Sequence, residues 1–193
     1  MSVSLLAHLR RSTSQAHAGI EQAMGIEQVV SSQTAYAELI LRMFGFYEPL
    51  EAALATQLDA RVLSGREKIP WLRADLHALG VSDGEIAMLP RCSDLPSIGS
   101  KAAAYGCAYV VEGATRGGRQ ISKMLEGSAV PANARAFFAG YGAETGVRWG
   151  EFCRELDEFG SRHGAEAADE AVRAALETFA TMRNWICRSP VAA

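Results

Sequence analysis

Apolar residues recur every three or four positions along almost the whole chain, the spacing expected of helices that bury one face. The sequence shows no sustained alternation of apolar and polar residues of the kind typical of strands. The pattern therefore predicts an all-α fold. Its longer helices are expected over about residues 4–24, 32–50, 99–126, 133–160 and 165–187, with Pro49 kinking or restarting the second.

Prolines and glycines set the predicted boundaries between helices. Shorter helices are expected between residues 61 and 100, where Pro70, the segment 80–84 and the loop 90–96 separate them. The segment 127–131 ends the helix that precedes it.

Chain length and composition indicate one domain. The chain has 193 residues, 49% of them hydrophobic, which is enough for a sizeable core, so residues 1–193 are predicted to form a single domain. A net charge of −3, with Lys and Arg scattered along the chain, argues against a nucleic-acid partner. No apolar run approaches the roughly 20 residues of a membrane span and the first residues lack a secretion signal, so we expect a cytoplasmic protein without a membrane partner.

The segment from Tyr105 to Leu125 carries three glycines inside an otherwise good helix. Each glycine costs a helix about 1 kcal/mol relative to alanine, so their presence needs a reason. Gly113 and Gly117 are four residues apart and share one helix face, which therefore offers bare backbone. Such a face suits either close packing against another helix or the close approach of a planar ligand.

A polar stripe runs along the first predicted helix. Arg10, Thr13, His17 and Glu21 follow one another at intervals of three or four residues and so share one face. Imidazole is the commonest metal ligand in proteins, and a carboxylate one turn away can fix its tautomer. The plainer interpretation is a surface histidine beside a solvated glutamate. A planar ligand with one axial imidazole, such as haem, would use both this histidine and the glycine face.

Three blocks of the sequence resemble the haem oxygenase family, in particular its bacterial biliverdin-forming members, some of which serve phytochromes. The blocks are LRRSTSQAHAGIEQ around His17, FGFYEPLE at 44–51, and YVVEGATRGGRQI at 109–121. A weaker likeness continues into ALETFATMRNWI near the C-terminus. The resemblance implies a multi-helix haem oxygenase-like fold in which haem lies between a proximal and a distal helix.

The resemblance also implies roles for individual residues. His17 corresponds to the proximal ligand of the haem iron, and Glu21 corresponds to the partner that orients the imidazole. Gly113 and Gly117 correspond to the catalytic glycines of the distal helix, which let the backbone approach haem.

Cationic and phenolic side chains are candidates for binding the haem propionates. They are Arg10, Tyr109 and Arg154, of which Arg154 is equally suited to a surface ion pair with a neighbouring glutamate. Arg116 is a further cation, which could point to solvent, reach a propionate or shape which edge of haem is exposed. Animal-type members carry an aspartate directly after the first distal glycine, where this chain has Ala114. As in some bacterial members, backbone carbonyls and other side chains would then hold the distal water.

The function implied by the resemblance is oxidative cleavage of haem at a meso carbon to biliverdin, ferrous iron and carbon monoxide. Haem would be both substrate and prosthetic group, with its iron bound by His17 and O2 as co-substrate. Electrons would come from an external ferredoxin or reductase, because no flavin or nicotinamide motif is visible, and a phytochrome is a candidate acceptor of biliverdin.

Other functions are compatible with parts of the same pattern. A haem carrier, store or sensor without turnover would use the same histidine and glycines, whereas an all-α regulatory protein would use them only structurally. A thiamine-degrading hydrolase on a related helical fold would need a nucleophilic cysteine among carboxylates, which the surroundings of Cys107 and Cys153 do not offer.

Overall fold

Long helices, joined by shorter helices and by loops, make up the described fold. A computed structural model describes residues 4–187, which contain helices and no strand, so the predicted all-α fold is confirmed. Short 3₁₀ turns at Ala132–Ala134 and Gly142–Glu144 flank the eighth helix. The helices are α1 (Leu5–Met24), α2 (Ile26–Ser31), α3 (Gln33–Ala55), α4 (Ala60–Leu63), α5 (Ile69–Ala78), α6 (Asp83–Met88), α7 (Lys101–Leu125), α8 (Ala136–Ala139) and α9 (Thr145–Ile186).

The longest helix, α9, packs along both α1 and α7. Glycines bring these helix pairs close together. A Cβ atom on Gly106 of α7 would lie 2.0 Å from the carbonyl oxygen of Ala171 in α9, and one on Gly160 of α9 would lie 2.6 Å from Cβ of Leu5 in α1. Because α1 and α7 make their main contacts with α9 rather than with each other, a space remains between them.

The ends of α1 and α7 follow local capping signals. The Ser4 hydroxyl accepts a hydrogen bond from the backbone N–H of Ala7, and the Ser100 hydroxyl accepts one from Ala103, both at 3.1 Å. Such caps satisfy N–H groups that have no partner within the helix and contribute about 1 kcal/mol each. At its other end α1 stops at Gly25, whose φ of 54° lies in the left-handed region. The predicted extents of both helices are confirmed.

Side chains of α3 form the centre of the hydrophobic core. Phe44, Phe46 and Leu50 are completely buried. The helix is apolar around much of its circumference because other helices surround it. In the part of the chain that the structure describes, no helix combines the length and the apolar character needed to cross a membrane.

Two of the predicted helix boundaries are wrong. The helix α3 does not end near residue 50 or restart at Pro49 but continues to Ala55, and a kink at Pro49 stays a prediction. The helix predicted over 133–160 begins only with α9, because Gly140 and Gly142 adopt left-handed φ values of 54° and 57° that stop α8 after a single turn. The break expected between residues 160 and 165 is present inside α9 as Gly164, with φ 78° and ψ −166°.

Candidate functional site

A cavity of about 330 Å³ lies between α1, α3, α7, α8 and α9. Most of its lining is apolar, as expected for a site that binds a largely apolar ligand. We call it the apolar chamber. Its larger apolar side chains include Met24, Met43, Ile121, Met124, Phe137, Phe138, Phe179 and Met182.

A second cavity, of about 320 Å³, adjoins the chamber. We call it the cationic mouth, because two arginines line it and both are exposed. His17, Val110, Gly117 and Phe179 line both cavities, so the two form one continuous cleft. The mouth adds Arg10, Tyr109, Gly113, Arg116 and Trp149 to this shared lining.

His17 brings an imidazole from α1 into the cleft. Its side chain is 48% exposed, and Nδ1 lies 3.6 Å from Oε2 of Glu21 one helical turn later. The edge of the ring meets Phe179 of α9, with ring centroids 5.9 Å apart. Because the carboxylate stands on the Nδ1 side, Nε2 is the nitrogen left for an axial ligand.

Gly113 and Gly117, which are predicted to face a ligand, differ from Gly118 in how closely other parts of the protein approach them. Outside its own helix, a Cβ atom on Gly117 would meet no atom of residues 4–187 within 4 Å, and one on Gly113 would come no closer than 3.8 Å to the ring of Trp149. A Cβ on Gly118 would instead lie 3.1 Å from the carbonyl oxygen of Phe138. Close packing therefore explains Gly118 but not Gly113 or Gly117, whose bare face lines the cleft.

The chemistry of the cleft fits haem, a largely apolar macrocycle with a central iron and two carboxylates at one edge. The apolar chamber suits the macrocycle, and the open space at Gly117 leaves room beside the α7 backbone. Arg10 and Arg116 in the mouth suit the carboxylates. Within residues 4–187 no three His, Cys, Asp or Glu side chains come together as a metal-binding group.

Comparison with known proteins agrees with this chemistry. The family model described as "Heme oxygenase" matches residues 3–188, which is nearly the whole chain. The chain belongs to the haem oxygenase family. The family membership predicted from the three sequence blocks is therefore confirmed. A curated relative, "Heme oxygenase" of Xanthomonas campestris pv. campestris (strain 8004), is 37% identical over 93 residues, 47% of this chain and 52% of the relative, so the match spans about half the length of that protein.

Two solved structures share the fold. The crystal structure of heme oxygenase 2 from Chlamydomonas reinhardtii, without heme, has a TM-score of 0.74 at 20% sequence identity, and the match covers 99% of this chain and 100% of that one. The structure of heme oxygenase from Leptospira interrogans also has a TM-score of 0.74, at 15% identity, with 96% and 99% covered. At these identities the likeness establishes that this chain has the all-α fold of haem oxygenases.

Not every residue singled out in the sequence lies in the haem oxygenase cleft. Arg154 lines a separate surface depression on α9, where Arg162 rather than Arg154 pairs with Glu158, at 2.8 Å. A propionate contact by Arg154 stays a prediction. Thr13 is buried and donates its hydroxyl to a carbonyl of its own helix at 2.8 Å, so that group is engaged away from His17.

Aromatic side chains of α3 and α8 complete the apolar chamber, and none of them was predicted to belong to the site. Tyr47 is 1% exposed, and burial raises the pKa of its phenol above the usual value. Its ring meets that of Phe137 edge-on, with centroids 5.4 Å apart. Tyr47 belongs to the FGFYEPLE block, which was a signal for it. Phe137 and Phe138 had no such signal, because the helix predicted over 133–160 included them.

A cluster of buried charges fixes α7 from outside the cleft. Glu112, directly before Gly113, is 4% exposed and accepts hydrogen bonds from Lys68 at 2.5 Å and from Arg66 and Tyr141 at 2.9 Å. Lys68 is 1% exposed; burial lowers its pKa, and the Glu112 carboxylate opposes that shift. We call these four residues the buried ion cluster. It ties α7 to the segments before α5 and after α8 without lining the cleft.

Proposed function

We propose that this protein is a haem oxygenase that binds haem in the cleft and opens it at a meso carbon to biliverdin, ferrous iron and carbon monoxide, with O2 as co-substrate. Membership of the family supports the proposal. The observation that carries it is that one cleft joins a lone imidazole, His17, to a helix face that Gly113 and Gly117 leave bare. Haem supplies both the redox-active iron and the carbon that is oxidised, and the chain supplies their surroundings.

On the proximal side, His17 is the residue that holds the haem iron. Its Nε2 is the free nitrogen, and Glu21 beside Nδ1 orients the ring and makes it a better ligand. A neutral imidazole donates less electron density to iron than a cysteine thiolate does. An imidazole ligand therefore suits oxidation of the macrocycle itself rather than the O–O cleavage that a thiolate ligand favours.

On the distal side, the bare face of α7 determines what reaches the macrocycle. Gly113 and Gly117 let the backbone approach haem closely and leave no side chain on that face to act as an acid. Ala114, which lines the chamber, provides no carboxylate either. The proposal therefore assigns the holding of distal water to backbone carbonyls of α7 and to other side chains of the chamber.

The cationic mouth is the part of the cleft that would hold the propionates. Arg10 and Arg116 provide charge-assisted hydrogen bonds, and Tyr109 adds a phenol whose ring lies 5.9 Å from that of Trp149. Contacts from these side chains would select which meso carbon is opened. Electrons would come from a ferredoxin or reductase. For a role in supplying a chromophore, the biliverdin acceptor that we propose is a phytochrome.

A titration of the purified protein with haemin, followed by reduction in air with catalase present, tests the proposal. We expect a saturable Soret band that decays into the spectrum of biliverdin, with carbon monoxide trapped in the reaction. Saturable binding without ring opening would instead identify a haem carrier, store or sensor. Absence of specific binding would exclude both functions.

Replacement of the predicted ligand tests the proximal assignment. His17→Ala should abolish the imidazole-ligated haem spectrum and turnover, and added imidazole should restore the spectrum. His77→Ala is the matched control, because His77 is 44% exposed and pairs with Asp83 at 3.1 Å, much as His17 pairs with Glu21, yet it lies outside the cleft. An unchanged spectrum in His17→Ala would contradict the assignment.

A further inference from the structure

The wall of the chamber formed by Phe137 and Phe138 lies on a segment that is too short to hold itself in place. The helix α8 that carries both residues has a single turn, Ala136–Ala139, and isolated helices of this length are unstable in water. Both phenylalanines line the apolar chamber, so a shift of α8 would change its shape. We call Phe137 and Phe138 the phenylalanine wall. Something outside α8 must fix it.

One buried carboxylate holds the start of this segment. Asp75 of α5 has no exposed surface, and its Oδ1 accepts a hydrogen bond from the backbone N–H of Ala136 at 2.7 Å. Its Oδ2 accepts one from the N–H of Phe137 at 2.9 Å. Both carboxylate oxygens are thus used on two successive N–H groups that the turn itself leaves without partners. Hydrogen bonds to a charged acceptor are stronger than those between neutral groups.

Other contacts hold the same segment from two sides. The phenol of Tyr36 in α3 donates to the carbonyl of Ala134 at 2.8 Å. The carbonyl of Phe138 approaches the bare position of Gly118 on α7, 3.1 Å from where a Cβ would stand. Of these contacts, the one made by Asp75 uses a charged group, and it hydrogen-bonds the backbone of a wall residue, Phe137.

We propose, on the basis of the haem oxygenase function proposed above, that Asp75 is a positioning residue that sets the phenylalanine wall against bound haem. Asp75 does not line the cleft. It acts through the two N–H groups at the start of α8. The shape of the chamber on this side therefore depends on a carboxylate 61 residues earlier in the chain.

The protonation of Asp75 gives the proposal a readout of its own. Burial raises the pKa of Asp75 to about 6, and the N–H groups of Phe137 and Ala136 oppose this shift. The Tyr36 phenol of α3 also lies near it, and burial, followed by the charge of Asp75, raises the pKa of that phenol above its usual value, while the Arg135 guanidinium opposes this shift. His77 lies two residues further along α5 on its exposed side, beside Asp83. Protonation occupies one carboxylate oxygen with hydrogen and weakens one of the two backbone bonds.

Amide NMR of the haem-free protein tests this directly. In wild type, the amide proton shifts of Ala136 and Phe137 should titrate together with a midpoint near pH 6, and they should stay nearly constant in Asp75→Asn. The His77→Ala variant removes an imidazole that pairs with Asp83, two residues beyond Asp75 on α5, and should leave the midpoint unchanged. Shifts that show no titration in wild type between pH 3 and 7.5, a range that also includes the ordinary aspartate pKa of about 3.9, or that titrate equally in Asp75→Asn, would overturn the proposal. Because the wild-type titration needs no variant, it decides the question even if Asp75→Asn fails to fold.

Haemin affinity then links the wall to the ligand. At pH 7.5, Asp75→Asn should raise the dissociation constant for haemin about tenfold, roughly the effect of one charged hydrogen bond. Asp59→Asn, which removes an exposed carboxylate paired with Lys101, should leave it unchanged. Equal affinities in wild type and Asp75→Asn would overturn the positioning role. If haemin bound but was never opened, the proposed function would fail while this assignment stood, because neither measurement depends on turnover.

Discussion

Gly106 and Gly117 lie eleven residues apart on the same helix, α7, and are glycines for different reasons. A Cβ on Gly106 would stand 2.0 Å from the carbonyl of Ala171, so no larger residue fits unless α7 and α9 move apart. At Gly117 a Cβ would meet nothing within 4 Å in the described chain beyond its own helix, and the position faces the cleft. The packing of the described chain therefore explains the first glycine but not the second, for which the proposed haem site supplies a reason.

The same contrast holds for the charged groups near the two sides of α7. Glu112 is buried and takes its hydrogen bonds from the buried ion cluster, which fixes the helix to its surroundings. Glu21 of α1, at the cleft, is 65% exposed and stands beside the His17 ring. An anchored side keeps α7 in place so that its other side can remain open. Substitutions on the anchored side should therefore cost stability, and substitutions on the open side should cost haem binding.

The largest expected effect is on the buried ion cluster. Lys68→Met leaves Glu112 buried with less than its full set of charged partners, and we expect it to lower the free energy of unfolding by about 3–5 kcal/mol, measured by urea denaturation. Lys101→Met is the control, because Lys101 pairs with Asp59 at 3.1 Å on the surface and should cost less than about 1 kcal/mol. Equal losses in the two variants would show that the cluster does not anchor α7.

A slightly smaller loss of stability is expected from adding one methyl group at Gly106, which packs against α9. Gly106→Ala should lower the free energy of unfolding by about 3 kcal/mol, because the methyl group must displace the backbone of α9. Gly117→Ala should instead raise it by up to about 1 kcal/mol, since alanine favours the helix and nothing in the described protein obstructs it. Thermal or urea unfolding of the haem-free variants measures both. A loss of stability in Gly117→Ala would mean that the fold, and not a ligand, requires this glycine.

The elements that follow local signals could be predicted from the sequence. The helices α1 and α7 begin at serine caps and keep a regular apolar period, so their extents agree with the prediction. His17 and the pair Gly113 and Gly117 lie on these regular helices, and spacing alone therefore assigns them to helix faces. That both faces line one cleft depends on how α1 and α7 pack against α9, which no local pattern contains.

The elements that depend on contacts between distant residues were not predictable. Pro49 stays inside α3 because the surrounding helices hold the helix together, which overrides the local preference of proline. The phenylalanine wall depends on Asp75, far away in the chain, and on left-handed glycines that stop α8. The sequence also favoured a residue that the fold places elsewhere. The side-chain type and position of Arg154 suited a contact with a propionate, but Arg154 lies on α9 outside the cleft.

A large side chain at Gly117 should change the stability least, and it tests the comparison of the two glycines most sharply. Gly117→Leu should leave the free energy of unfolding within about 1 kcal/mol of wild type, because the side chain enters the cleft rather than the core. The same side chain occupies space that haem needs, and an overpacking cost of about 1–3 kcal/mol corresponds to a roughly 5- to 150-fold higher dissociation constant for haemin. Optical titration measures this constant.

Gly150→Leu is the control for that substitution. Gly150 lies on α9 and is exposed, and a Cβ atom added there would meet no atom of residues 4–187 within 4 Å outside its own helix, but the position does not line the cleft. Its leucine variant should therefore bind haemin as wild type does. If both variants bound haemin equally well, the bare face of α7 would not be where haem lies, and Gly117 would need another explanation. If only Gly117→Leu lost affinity while remaining folded, the ligand would be the reason that this helix carries a glycine there.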